Sequence, residues 1–454
     1  MKTGKTHIIT IILLITIIIT VSAGCTDNVK QSPVSPADNT TESSILVFAD
    51  QEFAFQLMRT VGSSYSGEAD VGECLATASR IKEGDFESWY SEWKKTAETF
   101  KAAGDESLAA GHKHTAMEAY FRAATYYRTA EFFLHGNSTD PRIIETWEKS
   151  RETFRDALAL DAVPHEIIDI PYGNTTLPGY FYMADNSGTI RPLLIIQTGF
   201  DGYQEELHPY AMEGIKRGYN VLTFEGPGQG EVIRVQNIPF RADWENVITP
   251  VVDYAVSRPD VDEDRIALWG ISLGGYLAPR GAAYEHRISA LIADAGTYDV
   301  GENLMQNLQK DGGADLNMTK EDLREWLQTD PAEFNDAIRS AMAENTGTRW
   351  MNENGMFVFN VSSPALFWAE WMDFSLVGTA EKIRCPTLVC AGSSDHFDPD
   401  GAQARELYDH LTCEKEFVIF SDDYGAGSHC QLGAFAQSFG TKFDWLDDTM
   451  GTGE

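Results

Sequence analysis

The run Arg265-Ile266-Ala267-Leu268-Trp269-Gly270-Ile271-Ser272-Leu273-Gly274-Gly275-Tyr276 changes character within a few residues. Arg265 to Trp269 is short and apolar and reads as a buried strand. From Leu273 to Tyr284 the pattern is helical. Gly270, Ser272 and Gly274 form a Gly-x-Ser-x-Gly turn between the two. A serine on so sharp a turn is predicted to hold a strained backbone and to project its hydroxyl above the sheet edge, with the flanking glycines avoiding clashes. The plain alternative is a glycine-rich turn with a bystander serine.

The same texture extends to both sides. Leu193–Ile196, Asn220–Phe224, Ala290–Ala293, Thr387–Cys390 and Phe417–Phe420 are apolar runs that read as strands. Helical patterns stand between them at Glu205–Arg217, Trp244–Val256 and Ala402–Leu411. This alternation predicts an α/β fold, a mostly parallel doubly wound sheet with helices on both faces. Ahead of it, residues 165–184 read as two antiparallel strands around Gly173-Asn174. Residues 297–382 break the alternation. They hold Trp326, Trp350, Trp368 and Trp371 and read as a helical lid insertion, which either walls an apolar pocket or packs its own core.

Residues 46–160 have a different periodicity. Phe86–Ala102 and Ala110–His135 carry apolar residues three and four apart, as in Ala116, Tyr120, Ala123, Tyr127 and Ala130. They predict an all-helical cap before the sheet domain of 161–448. No second copy at a period near 34 residues supports a helical repeat. His112 and His114 are read as surface residues, with no metal and no cofactor implied.

At the start, Lys2 and Lys5 precede the Ile-rich run Ile8–Val21. That run is too short for a hydrocarbon core of about 30 Å, which takes about 20 residues, and suits an export signal over residues 1–24. Ser22-Ala23-Gly24-Cys25 resembles the lipobox of prokaryotic lipoproteins, with Ser22 departing from the usual Leu. Cys25 is therefore the expected lipid attachment and membrane anchor. An ordinary secretory cut and an uncleaved anchor are the alternatives. Each places the protein outside the cytoplasm, exported or held at the cell surface. Residues 25–45, polar with Pro33 and Pro36, read as a flexible tether.

A serine hydroxyl needs a base, and the base needs an orienting acid. Gly392-Ser393-Ser394-Asp395 follows the strand from Thr387, so Asp395 stands at a strand's C-terminal end. Gly425-Ala426-Gly427-Ser428-His429 follows the last strand and can carry an imidazole to Ser272. Asp398 is the rival acid, but Pro399 and Asp400 read as the next helix start, with Asp398 as its cap. His396 precedes the last strand and ranks below His429. Cys430 beside it lacks a nucleophile turn and reads as an inert thiol. An oxyanion would be met by the backbone N–H of Leu273 and by a donor from Thr198-Gly199-Phe200-Asp201-Gly202, with Phe200 the choice. Gly226-Pro227-Gly228-Gln229-Gly230 lacks the Gly-Lys-Ser/Thr ending of a phosphate loop and reads as structural.

Together, Gly199-Phe200-Asp201-Gly202-Tyr203-Gln204-Glu205-Glu206, Glu225-Gly226-Pro227-Gly228-Gln229-Gly230, Arg258-Pro259-Asp260-Val261-Asp262 and the Ser272 turn resemble a branch of the α/β hydrolases. That branch includes dihydroxypseudooxynicotine hydrolase, fungal polyketide-shortening pigment hydrolases and FrsA-like proteins, and carries a helical segment ahead of the hydrolase fold. Trp89, Trp93, Ala116, Tyr120 and Tyr126-Tyr127 look like that segment. The resemblance covers roughly 50–447. It puts Ser272, Asp395 and His429 on the branch's triad positions. Some members use a further acid after the sheet's sixth strand, for which Glu302 is the nearest candidate.

The expected function is an exported serine hydrolase acting through an acyl-enzyme on an ester, an amide or a ketone-adjacent C–C bond of a small to medium apolar molecule. The alternative is a surface-tethered binding or regulatory module with an idle hydrolase fold. A homo-oligomer is compatible with either. The chain has 454 residues, 43% of them hydrophobic, and a net charge of −34. Such acidity argues against nucleic acid as a partner, because a polyanion calls for clustered Lys and Arg. Six cysteines are too few for a disulfide scaffold.

Overall fold

The computed structural model describes residues 47–302, 304–305 and 318–452. The export signal, Cys25 and the polar tether lie outside the described residues.

The helical segment comes first: Gln51–Gly62, Val71–Ala78, Phe86–Ala109, Lys113–Glu131 and Pro141–Leu158. Aspartates start four of these helices. The carboxylates of Asp50, Asp70, Asp85 and Asp140 each accept a backbone N–H of the first turn, satisfying donors that have no partner inside the helix. Pro141 follows its cap at the position where a missing N–H costs nothing. The faces turned inward are aromatic. Phe53, Phe86 and Trp89 pack around Phe133 at ring separations of 5.2, 4.2 and 5.2 Å. This cluster is continuous with the apolar side chains on one face of the sheet, so helices and sheet share a core.

The sheet has 8 strands in the order β1-β2-β4-β3-β5-β6-β7-β8. These are β1 (His165–Tyr172), β2 (Thr175–Tyr182), β3 (Arg191–Gln197), β4 (Asn220–Phe224), β5 (Val261–Ile271), β6 (Ala290–Asp294), β7 (Thr387–Gly392) and β8 (Lys415–Phe420). β1 and β2 form the antiparallel hairpin around Gly173-Asn174, and β2 runs antiparallel to β4. From β4 to β8 every pairing is parallel. β4, β6 and β7 are buried along their whole length, as their unbroken apolar runs require when helices cover both faces. The edge strands β1 and β8 are partly exposed, and there charged residues interrupt the run.

The chain enters the parallel sheet at β3, adds β4 on one side and then crosses to β5 on the other. Above the carboxyl ends of β3 and β5 this reversal opens a crevice, the usual ligand position of an open α/β sheet. The segment between β6 and β7 roofs it with helices Lys320–Gln328, Ala332–Glu344, Thr346–Val358 and Pro364–Trp371. Leu323, Leu327, Phe334, Ile338 and Ala365 form a small core within the roof.

Candidate active site

Strand β5 runs two residues beyond its expected end, to Ile271, and the next helix begins at Gly274. Ser272 and Leu273 stand between them, and Ser272 has φ +62°, a conformation in which a side chain is strained. Its N–H donates to Asp294 O at the end of β6, at 2.6 Å. Gly270 makes the turn possible, since a Cβ there would stand 2.0 Å from the Gly274 carbonyl oxygen.

The structure brings Ser272, His429 and Asp395 together from the ends of β5, β8 and β7. The Ser272 hydroxyl donates to His429 Nε2 at 2.8 Å, and His429 Nδ1–H donates to Asp395 Oδ2 at 2.6 Å. Asp395 Oδ1 accepts the Phe397 N–H at 2.8 Å. Burial opposes the Asp395 charge, but His429 and that N–H outweigh it, and the carboxyl ionises below the ordinary aspartate value. Burial likewise opposes a charge on His429. The adjacent Asp395 carboxylate overcomes it and holds the imidazole well above the usual histidine value. His429 also packs edge-on to the Phe397 ring, with centroids 4.8 Å apart.

The other candidates have other surroundings. Asp398 accepts the N–H groups of Gln403 and Ala404 at 2.9 and 3.1 Å, so both its oxygens serve the helix start Ala402–His410. Between them, Asp400 and Gly401 take left-handed backbone, so the α-helix begins at Ala402, as its periodicity predicts, and not at Pro399. Burial and the neighbouring His429 push His396 down to about 4, which keeps it neutral. Cys430 is buried beside His429, its Sγ directed at Asp294 O. Glu302 is exposed, and its N–H donates to Asp299 Oδ1 at 2.9 Å.

The loop after β3 lies over the serine turn. A Cβ on Gly199 would come within 2.4 Å of Leu273 N, so only glycine lets the Gly199–Phe200 peptide sit alongside that N–H. Neither the Leu273 nor the Phe200 N–H donates to a protein acceptor among the described residues. Gln229 holds this loop from beneath. Its Nε2 donates to Gly199 O at 2.9 Å and Thr198 O at 3.1 Å, while its Oε1 accepts the Gly226 N–H at 2.9 Å. The Gly226–Gly230 turn, structural in the sequence, thus presents a loop-positioning side chain. A buried glutamine amid glycines carries no sequence signal of its partner.

A cavity of about 280 Å³ opens above Ser272. The roof supplies Trp350, Trp368 and Trp371, and the first helix supplies Phe55 and Arg59. Trp326 instead packs on Phe334 inside the roof, at 5.8 Å, so the insertion's tryptophans divide between pocket wall and roof core. A nucleophile, a base, an oriented acid and two unoccupied backbone donors around an apolar chamber can perform acyl transfer.

Comparison with known proteins assigns the chain to a family. A model of the alpha/beta hydrolase family matches residues 198–430, and a model described as esterase FrsA-like matches residues 59–304. The chain is 36% identical over 421 residues to the 20-hydroxy-prefusarin hydrolase FUS2 of Gibberella moniliformis, covering 89% of this chain and 98% of that protein. It is 35% identical over 424 residues to the hydrolase LUC6 of a Fusarium species, with coverage of 89% and 98%. Among solved structures, 2,6-dihydroxy-pseudo-oxynicotine hydrolase superposes with a TM-score of 0.66 at 21% identity, over 86% of this chain and 95% of that one. That likeness extends the shared fold through the helical segment.

Proposed function

This chain belongs to the alpha/beta hydrolase family, in the branch with a helical segment ahead of the sheet, and from that premise we propose that it is an exported serine hydrolase acting on a small to medium apolar molecule. The observation that carries the proposal is the unbroken relay from Ser272 Oγ through His429 to Asp395, 2.8 and 2.6 Å long, at the floor of an apolar cavity.

In this mechanism His429 Nε2 takes the hydroxyl proton as Ser272 Oγ bonds to the substrate carbonyl carbon. Asp395 keeps the imidazole in the tautomer that accepts at Nε2 and stabilises the imidazolium that forms. The Leu273 and Phe200 N–H groups receive the oxyanion. Collapse of the tetrahedral species breaks the bond to the leaving group, which departs with the proton from His429 and leaves an acyl-serine. Water, deprotonated by the same imidazole, then releases the acid and restores Ser272. An ester, an amide and a C–C bond next to a ketone all fit, since they differ only in the group protonated on departure. One relative is named for hydrolysis of 20-hydroxy-prefusarin, which supports a small-molecule substrate here.

A fluorophosphonate probe is expected to label the wild-type chain and to spare Ser272→Ala. Labelling that survives the substitution removes Ser272 from this role, and turnover of aryl esters separates an enzyme from an idle binding module.

Export rests on the sequence of residues 1–25. The mature protein is proposed to begin at a lipidated Cys25 and to be held at the membrane, several acyl chains being needed for firm anchoring. Intact mass of the protein from its native host reads this directly. A chain still carrying residues 1–24, or a free Cys25 thiol, contradicts it.

A further inference from the structure

The helical segment borders the cavity with Phe55 and Arg59, and of these only Arg59 binds the loop after β3 through side-chain hydrogen bonds. Arg59, on helix Gln51–Gly62, borders the cavity with only 15% of its side chain exposed. It binds two carboxylates of the loop after β3. Its Nη1 donates to both oxygens of Asp201 at 3.2 and 3.1 Å, and Nε and Nη2 donate to Glu206 at 2.9 and 3.1 Å. Asp201 follows Phe200 directly. Glu206 in turn accepts the Tyr203 N–H at 3.0 Å and Arg128 Nε at 2.7 Å. With Gln229 gripping Thr198 O and Gly199 O from the opposite side, the loop is clamped on both flanks of Phe200.

Both edges of the Arg59 fork are occupied by carboxylates, so Arg59 is poorly placed to pair with an anionic substrate. Its remaining consequence for the cavity is the loop it holds. We propose that Arg59 is a positioning residue of the oxyanion hole: by holding Asp201 and Glu206 it fixes the Phe200 N–H where the tetrahedral oxygen forms. The helical segment is then part of the reaction centre and not only its cover. This rests on the serine-hydrolase reading above.

The test uses the full chain with an aryl ester, and a trifluoromethyl ketone of the same acyl group as transition-state analogue. Removing an oxyanion donor costs about 10²–10³ in kcat, and misplacing one is expected to cost less, about 10–100-fold for Arg59→Met. The analogue should weaken by the same factor, KM should stay within about twofold, and Arg59→Lys should recover part of the loss. A folded Arg59→Met that keeps wild-type kcat and analogue affinity overturns the inference. So does a rise in KM with kcat unchanged, which would make Arg59 a wall of the pocket. Should Arg59→Met not fold, Asp201→Asn decides by the same split. A wild type inert to both ester and fluorophosphonate fails the hydrolase reading and this inference together. Labelling by the probe with no effect of either substitution fails this inference alone.

Discussion

Ser272 takes a left-handed backbone, and His429 owes its raised basicity chiefly to the Asp395 carboxylate. Because the Asp395 carboxylate raises the imidazole above the ordinary histidine value, the proposed base is lost as pH falls through that raised value. The acid limb of kcat/KM is therefore expected above about 6.5, the ordinary value. Asp395→Asn removes the raising charge and the tautomer control together. It should move the limb to lower pH and cut kcat by about 10⁴. A limb that stays in place in Asp395→Asn, measured across a pH series, would assign it to another group. These residues were legible in the sequence because a sharp glycine-flanked turn and chain order constrain them. Gln229 and Arg59 were not, since hydrogen bonds made across the fold, to backbone carbonyls by Gln229 and to carboxylates by Arg59, leave no local pattern.

The elements that carry the site are fastened to one another by buried polar groups. Lys442, on helix Phe435–Met450, is fully buried and pairs with Asp294 at the end of β6. It also donates to Gln431, in the His429 loop, and to Ser438 at 2.7 Å. Asp294 O accepts the Ser272 N–H, so this one ammonium joins the serine turn to the histidine loop. Lys442→Met leaves an uncompensated buried carboxylate and is expected to cost about 3–5 kcal/mol in denaturant unfolding. Adding Asp294→Asn should return part of that stability, and strictly additive losses would show that the pair does not couple. At this scale the strands were easiest to read. A strand covered on both faces must be apolar where it is covered, as the runs Leu193–Ile196, Ile266–Trp269, Ala290–Ala293 and Leu388–Ala391 are. Their ends were less legible, because hydrogen bonding to a neighbour, as between Ile271 and Asp294, sets where a strand stops.

Across the whole molecule, the candidate site is assembled from parts distant in the chain. Phe55 and Arg59 come from the first helix, Phe200 from beyond β3, Trp350 and Trp371 from the roof, and Asp395 and His429 from the last two strands. The parallel sheet forces this gathering, because all its strands deliver their carboxyl ends to one edge. Period and turn chemistry were enough to specify, from the amino-acid order alone, the alternating strands and helices, the helical segment before them and the Ser272, Asp395, His429 order. Both act over a few residues and leave a local mark. Which tryptophans face the cavity, which side chains grip the loop around Phe200, and that the first helix supplies one of them were decided only on folding. The Arg59 contacts join residues more than a hundred positions apart and those of Gln229 about thirty, and their energy exists only once the sheet has brought them together.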